Sequence, residues 1–347
     1  MAPRLDVVSR FPAMCFGKLP AFGDFVRHNA GGRDPLAFDQ WLQQGLYHAR
    51  VHLGQAWEES FRRAPSYYFL FSPENSEGFL LGLLQPSRDR GERRFPFTVA
   101  LRLDRRYPTE LLPLAPVVFD DFLAGATRLA HEASALTLHQ IAAATEQLDA
   151  DTIRDYRSVA AAHLTRLGST RVADLRERLW KGEPDRVFLV FKNLLEVLAP
   201  FRGRNSARLA LGLRFPIASQ VANASHDVSL WTEAALRLMS ATGARPFLFW
   251  TAPPAPEAAL APASAASLFL FLRQPTARSV MHFLRPDLTS DFICAVDTDG
   301  VANVSGARAA LPTTFASSLA AGEMSLAQLL ETMGRGLPEV VVSRVLC

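Results

Sequence analysis

The chain has 347 residues, 49% hydrophobic and 20% charged, a balance that excludes a disordered or fibrous protein and is long enough for more than one core. Its net charge is only +3 and its basic residues are interleaved with acids, so a pI near 8.9 gives no licence for nucleic-acid binding. No apolar run approaches the ~18 residues of a membrane span, and charge interrupts the opening MAPRLDVVSRFP, so a soluble cytoplasmic protein without membrane insertion is expected.

In chain order, a short strand over 13–17 leads into the dense stretch CFGKLPAFGDFVRHN at 15–29. Asp34 and Pro35 then read as an N-cap and first-turn proline. Behind them Phe38, Leu42, Leu46, Leu53, Trp57 and Phe61 form an apolar stripe that predicts an amphipathic helix over 36–63. Three apolar runs follow at 67–72, 78–85 and 94–103, separated by the turn-rich PENSE and PSRDRGER, which predicts an antiparallel meander packed on that helix. Helical periodicity resumes over 116–134 and continues to about 200, with starts at Thr137, Asp151 and Asp185. In the second half, 207–217 reads as a strand, Asp227 as the cap of a helix through Met239, and 245–251 with 267–274 as a strand pair. The Ala/Pro-rich connection at 252–266 is a low-complexity loop, and a helix over 325–333 closes the pattern. A strand, a helix and two apolar strands thus occur in both halves, which fits either a duplication or a common arrangement met twice.

The expected fold class is α/β in the α+β sense: an antiparallel meander packed with helices, a helical connector, and a second, smaller α/β domain. The boundaries fall at 1–135, 136–204 and 205–347.

The stretch at 15–29 is not a P-loop. Lys18 precedes the second glycine, no Ser or Thr follows it, and Pro20 removes a backbone donor. Lys18 is nevertheless unusual here, since only three of the 37 basic residues are lysines. As a turn the stretch is well made: Gly17 and Gly23 permit positive φ, Pro20 stiffens it, Phe22 and Phe25 can pin it to the core, and Asp24 can take backbone donors or an arginine. In the second dense stretch, 86–96, Ser87 and Asp89 stand among Arg88, Arg90, Arg93 and Arg94. No nucleophile elbow surrounds Ser87, which leaves a solvated hairpin loop or an anion- or partner-binding loop. His48 and His52 share a helix face without the glutamate of a metalloprotease motif, and the Asp120-Asp121 pair and the Asp149, Asp151, Asp155 group lack an EF-hand pattern, so no metal is expected. Trp41, Trp57, Trp231 and Trp250 lie in periodic apolar segments and read as core. Cys15, Cys294 and Cys347 show no paired spacing and read as free thiols.

Three motifs in order carry a resemblance. GKLPAFGDF (17–25), WLQ (41–43) and PSRDRGERRFP (86–96) closely resemble the N-terminal domain of the TagF/ImpM family of type VI secretion-associated proteins, which shows G-K-[LIM]-P-x-x-G-D-F, Trp-Leu-Gln and P-S-x-D-x-x-G-R-x-[FY]-P. Gly17, Lys18, Leu19, Pro20, Gly23, Asp24 and Phe25 match the first motif, Trp41, Leu42 and Gln43 the second, and Pro86, Ser87, Asp89, Arg93, Phe95 and Pro96 the third. Glu92 departs from it, standing where the family has glycine, with Gly91 one place early. The resemblance covers 14–103, with a weaker likeness over 228–297. It implies a longin/roadblock-like N-terminal domain and a cytoplasmic post-translational regulator, chiefly a repressor, of type VI secretion assembly. Such a protein acts through contacts with a forkhead-associated scaffold protein rather than by catalysis, without cofactor or small-molecule ligand. The turn at 17–25 and the hairpin at 86–96 belong to one domain and are expected to lie close in space, which makes Lys18, Pro20, Phe22, Asp24, Phe25, Ser87, Asp89, Arg93 and Arg94 the candidate partner-binding residues, held by the structural positions Gly17, Gly23, Trp41, Pro86, Phe95 and Pro96. An accessory module for a small GTPase is the alternative that the fold analogy leaves.

Overall fold

The structure, a computed structural model, describes residues 11–73, 76, 78–104, 107–148, 156–219, 221–241, 243–253, 266–288, 290–298 and 304–335. The expected helix start at Asp151, the acidic group at 149–155, Cys347 and most of the Ala/Pro-rich loop lie outside these residues. In chain order the described elements of the first half are β1 (Ala13–Gly17), β2 (Val26–His28), α1 (Arg33–Leu53), α2 (Trp57–Arg63), β3 (Tyr67–Phe71), β4 (Phe79–Gln85), β5 (Phe97–Leu103), α3 (Ala115–Val118), α4 (Asp120–Glu132) and α5 (Leu138–Gln147). There follow α6 (Tyr156–Ser169), α7 (Val172–Leu179), α8 (Arg186–Leu198), β6 (Gly212–Pro216), α9 (Val221–Met239), β7 (Phe247–Thr251), β8 (Ser267–Phe271), α10 (Val280–Leu284), β9 (Ile293–Ala295), α11 (Val304–Ala310), α12 (Thr313–Ala321) and α13 (Leu326–Arg335).

The mixed α/β class, the meander β3–β4–β5 and the β7–β8 pair are as expected. The nine described strands form one sheet in the order β2-β1-β5-β4-β3-β7-β8-β6-β9, antiparallel except for β6 and β9. First and second halves meet where β3 pairs with β7, from Tyr67 opposite Thr251 to Leu70 opposite Leu248. Alternation along β3 and β7 sends Phe69, Phe71, Phe247 and Phe249 to one face, where α1 and α10 contribute Phe38, Trp41 and Phe283. Leu70, Leu248 and Trp250 go to the other face, beneath α4, α8 and α9. Central strands covered on both sides have no need of a polar face, and every residue of β3 and β8 is buried.

Several boundaries differ from the reading of the sequence. The helix begins at Arg33 behind Gly32 (φ 97), so Asp34 is not its cap. Its buried carboxylate instead meets Arg102 Nε at 3.2 Å. Gly54, at φ 52, breaks the expected long helix into α1, a 3-10 turn over Gly54–Ala56, and α2. Asp227 lies inside α9, not before it, and its carboxylate accepts the Ala218 N–H at 2.9 Å, supplying a cap-like bond to the preceding loop. Thr137 caps α5 as expected, in a reciprocal capping box with Gln140. The duplication reading fails on topology: β1 and β3 run antiparallel, β6 and β7 parallel, and α1 and α9 cover opposite faces.

Candidate functional site

Gly17 ends β1 against the second dense loop. At φ 133, a Cβ there would lie 2.1 Å from the Pro96 carbonyl oxygen, so only glycine permits the contact. The chain then turns at Leu19–Phe22, closed by Phe22 N–H to Leu19 C=O at 3.0 Å with Pro20 at the second position. Gly23, which permits positive φ, does not adopt it.

The β4–β5 connection is a tight hairpin around Asp89. Glu92 N–H donates to Asp89 C=O at 3.0 Å and Asp89 N–H to Arg93 C=O at 3.1 Å, with Glu92 at φ 63. This pattern is a four-residue turn followed by a left-handed bulge residue, the place where glycine is favoured. Glu92 therefore stands at the position of this turn that favours glycine, and the chain holds the left-handed conformation there with a side chain.

Asp89 has no exposed side-chain surface and receives four donors. Oδ1 accepts Gly91 N–H at 2.9 Å and Arg93 N–H at 3.0 Å. Oδ2 accepts Arg93 Nε at 2.7 Å and meets Lys18 Nζ at 2.9 Å. Burial works to raise the pKa of this carboxyl, but Lys18 and the Arg93 backbone and side chain outweigh it and hold it well below the usual carboxylate range. Arg93 Nη2 continues to Gly23 C=O at 2.6 Å, and Arg90 N–H donates to Phe22 C=O at 2.8 Å. The two loops are thus interlocked by side-chain and backbone bonds.

The candidates separate accordingly. Lys18, Asp89 and Arg93 spend their charges on one another. Arg94 turns to Glu58 of α2 at 3.2 Å. Ser87 is half-buried, its carbonyl accepts Phe95 N–H, and its hydroxyl has no hydrogen bond among the described residues, so no base is positioned on it. Phe22 packs toward the α4 side of the sheet. Phe25 is 36% exposed, 5.1 Å from the Phe95 ring centroid and 6.4 Å from that of Phe16, with the Arg27 guanidinium 5.7 Å over its ring. Pro20 and Asp24 are exposed. Trp41 is core: its indole N–H donates to Pro275 C=O at 2.8 Å and its ring stacks on Phe249 at 5.6 Å.

His48 and His52 lie exposed on α1, and among the described residues no group of three or more His, Cys, Asp or Glu can hold a metal. No described helix is long and apolar enough to cross a membrane.

Sequence reasoning missed two features. Arg90 was passed over among its neighbouring arginines. The second is a buried hub where α9 meets α4, α6 and α7. There the His163 and His226 rings stack 5.1 Å apart with Nδ1 atoms at 2.9 Å, Ser225 donates to Asp120 at 2.8 Å, and Arg178 pairs with Asp227 at 2.5 Å. Partners 63 residues apart leave no local signal.

Residues 14–150 match the model of the TagF N-terminal domain, Type VI secretion system-associated, and so carry that domain with both interlocked loops inside it. Among solved structures, the chain is similar to PA0076 from Pseudomonas aeruginosa PAO1, at 17% identity and a TM-score of 0.45, over 80% of this chain and 96% of that one. No curated protein matches.

Proposed function

We propose that this chain, with its TagF N-terminal domain, is a cytoplasmic post-translational regulator of type VI secretion. It represses assembly by binding a forkhead-associated scaffold protein, and it performs no catalysis. The family match over 14–150 supports the secretion role. The binding mode is supported by the state of Asp89: the most perturbed carboxyl of the site is ionised, buried and saturated by four donors, so it offers neither a proton nor a free lone pair to chemistry. The motif residues build a rigid platform, and what that platform exposes is left for a partner.

The test is secretion of the type VI tube protein from a deletion strain, compared with wild type and with complementation by the intact gene or by Asp24→Arg. Repression predicts more secretion on deletion, reversed by the intact gene alone. Reduced secretion on deletion would replace the repressor with an assembly factor.

A further inference from the structure

Most charges of the interlocked loops are already paired. Lys18 and Arg93 hold Asp89, Arg88 meets Glu92 at 2.5 Å, Arg27 meets Asp39 at 3.0 Å, and Arg94 meets Glu58. Arg90 is exposed and its side chain has no ion pair or hydrogen bond among the described residues. It is still held in place. Its backbone N–H is bonded to Phe22 C=O, and its guanidinium packs over Gly23, where a Cβ would stand 3.5 Å from Nη2. Close by in sequence, Phe25 presents an open ring beneath Arg27 at the start of β2, a terminal strand paired only with β1 in the described sheet. Of the exposed arginines on these two stretches, Arg27, Arg88 and Arg93 are paired with Asp39, Glu92 and Asp89, so the uncompensated positive charge lies on Arg90 and on the Lys18 and Arg93 cations that share one carboxylate, with Asp24 the exposed acid of the first turn.

We propose that Arg90, Arg27 and the ring of Phe25 form a docking surface for an acidic segment of a partner protein. A carboxylate of that segment takes the Arg90 guanidinium fork, and an apolar side chain beside it covers Phe25. The inference rests on the reading that this protein acts by binding a partner, and it names the chemistry of that partner. The fork suits a carboxylate in a bidentate pair. A continuous polyphosphate backbone would run onto Asp24 and Glu92, which disfavours nucleic acid. The aromatic ring with a guanidinium on its face supplies the desolvated anchor typical of binding hot spots.

The full chain is tested by fluorescence anisotropy with three labelled peptides: a short Glu/Ser peptide with one central Phe, the same peptide with Lys for Glu, and the acidic peptide with Ala for Phe. The expected result is binding of the first alone, weakened by added NaCl and by about tenfold in each of Arg90→Glu and Phe25→Ala. An unchanged melting temperature in Arg90→Glu excludes misfolding. Equal binding of the Lys peptide, or an acidic peptide indifferent to Arg90→Glu, overturns the proposal. A secretion arm separates the two readings. If deletion alters tube-protein secretion but Arg90→Glu complements like the intact gene, the docking surface is wrong and the regulator stands. If the peptide discrimination holds while deletion leaves secretion unchanged, the surface stands and the secretion role falls.

Discussion

Glu92 holds its backbone at φ 63, where a side chain costs roughly 1–2 kcal/mol relative to the right-handed region. Its compensation is an ion pair with Arg88, both partners more than half exposed, of a kind contributing about 0–1 kcal/mol. Glu92→Gly is therefore expected to stabilise the protein by about 0.5–1 kcal/mol, read as a raised urea midpoint with an unchanged slope. Gly17→Ala has the opposite sign. A Cβ 2.1 Å from the Pro96 oxygen forces β1 and the hairpin apart, and a loss above about 2 kcal/mol is expected from the same titration. Both glycine motifs were visible in the sequence, but the division of labour between the two aspartates was not. Asp24 and Asp89 are each loop acids near arginines, and only the contact of the loops shows that Asp89 is the buried one. Arg90 was hidden for the same reason, since four arginines in one loop look alike until their partners are known.

Long periodic elements were legible: α1, the meander and the β7–β8 pair follow from apolar spacing. The three-residue strands β2 and β9 were not, because a period of two cannot show itself over three residues, and both are set by neighbours far off in sequence. The α6–α9 contact was equally hidden and carries its own pH dependence. Burial, then Arg166, pushes His163 down to about 4; His226 is pushed to about 4 by burial, then by Arg166, His163 and Arg178. An ordinary histidine titrates near 6.5, so between these limits the unfolded chain binds more protons than the folded one. The stability from the neutral pair is complete above about pH 6.5 and falls as pH drops toward 4. Asp89, held well below the carboxylate range, stays ionised through that window, so the interlocked loops are not what weakens. Melting temperatures should fall across this interval in the wild type and fall less in His163→Gln/His226→Gln. An acid limb of equal depth in both proteins would show that other groups carry it.

The seam between β3 and β7 decides whether the matched domain can stand by itself. Residues 14–150 end well before β7, yet β3 lies between β4 and β7, and the aromatic face of α1 is completed from the second half. Trp41 stacks on Phe249, Phe71 meets Phe247 at 5.4 Å, and Phe249 stacks on Phe283 at 4.4 Å. Little in the sequence pointed to this seam: β3 and β7 are apolar on both faces, as any central strand is, and nothing in their patterns specifies which strand lies next door. A fragment ending at 204 uncovers the β3 edge, with Phe69, Phe71 and Trp41 beside it, an open apolar edge of the kind that pairs with other chains. Expressed alone, it is expected to be insoluble or to self-associate, and co-expression with 205–347 should restore a soluble pair measurable by size-exclusion chromatography. A monomeric fragment with a sharp thermal transition would show instead that the N-terminal unit closes its own core. In that case the type VI domain is separable, and the Arg90 surface can be studied without the second half.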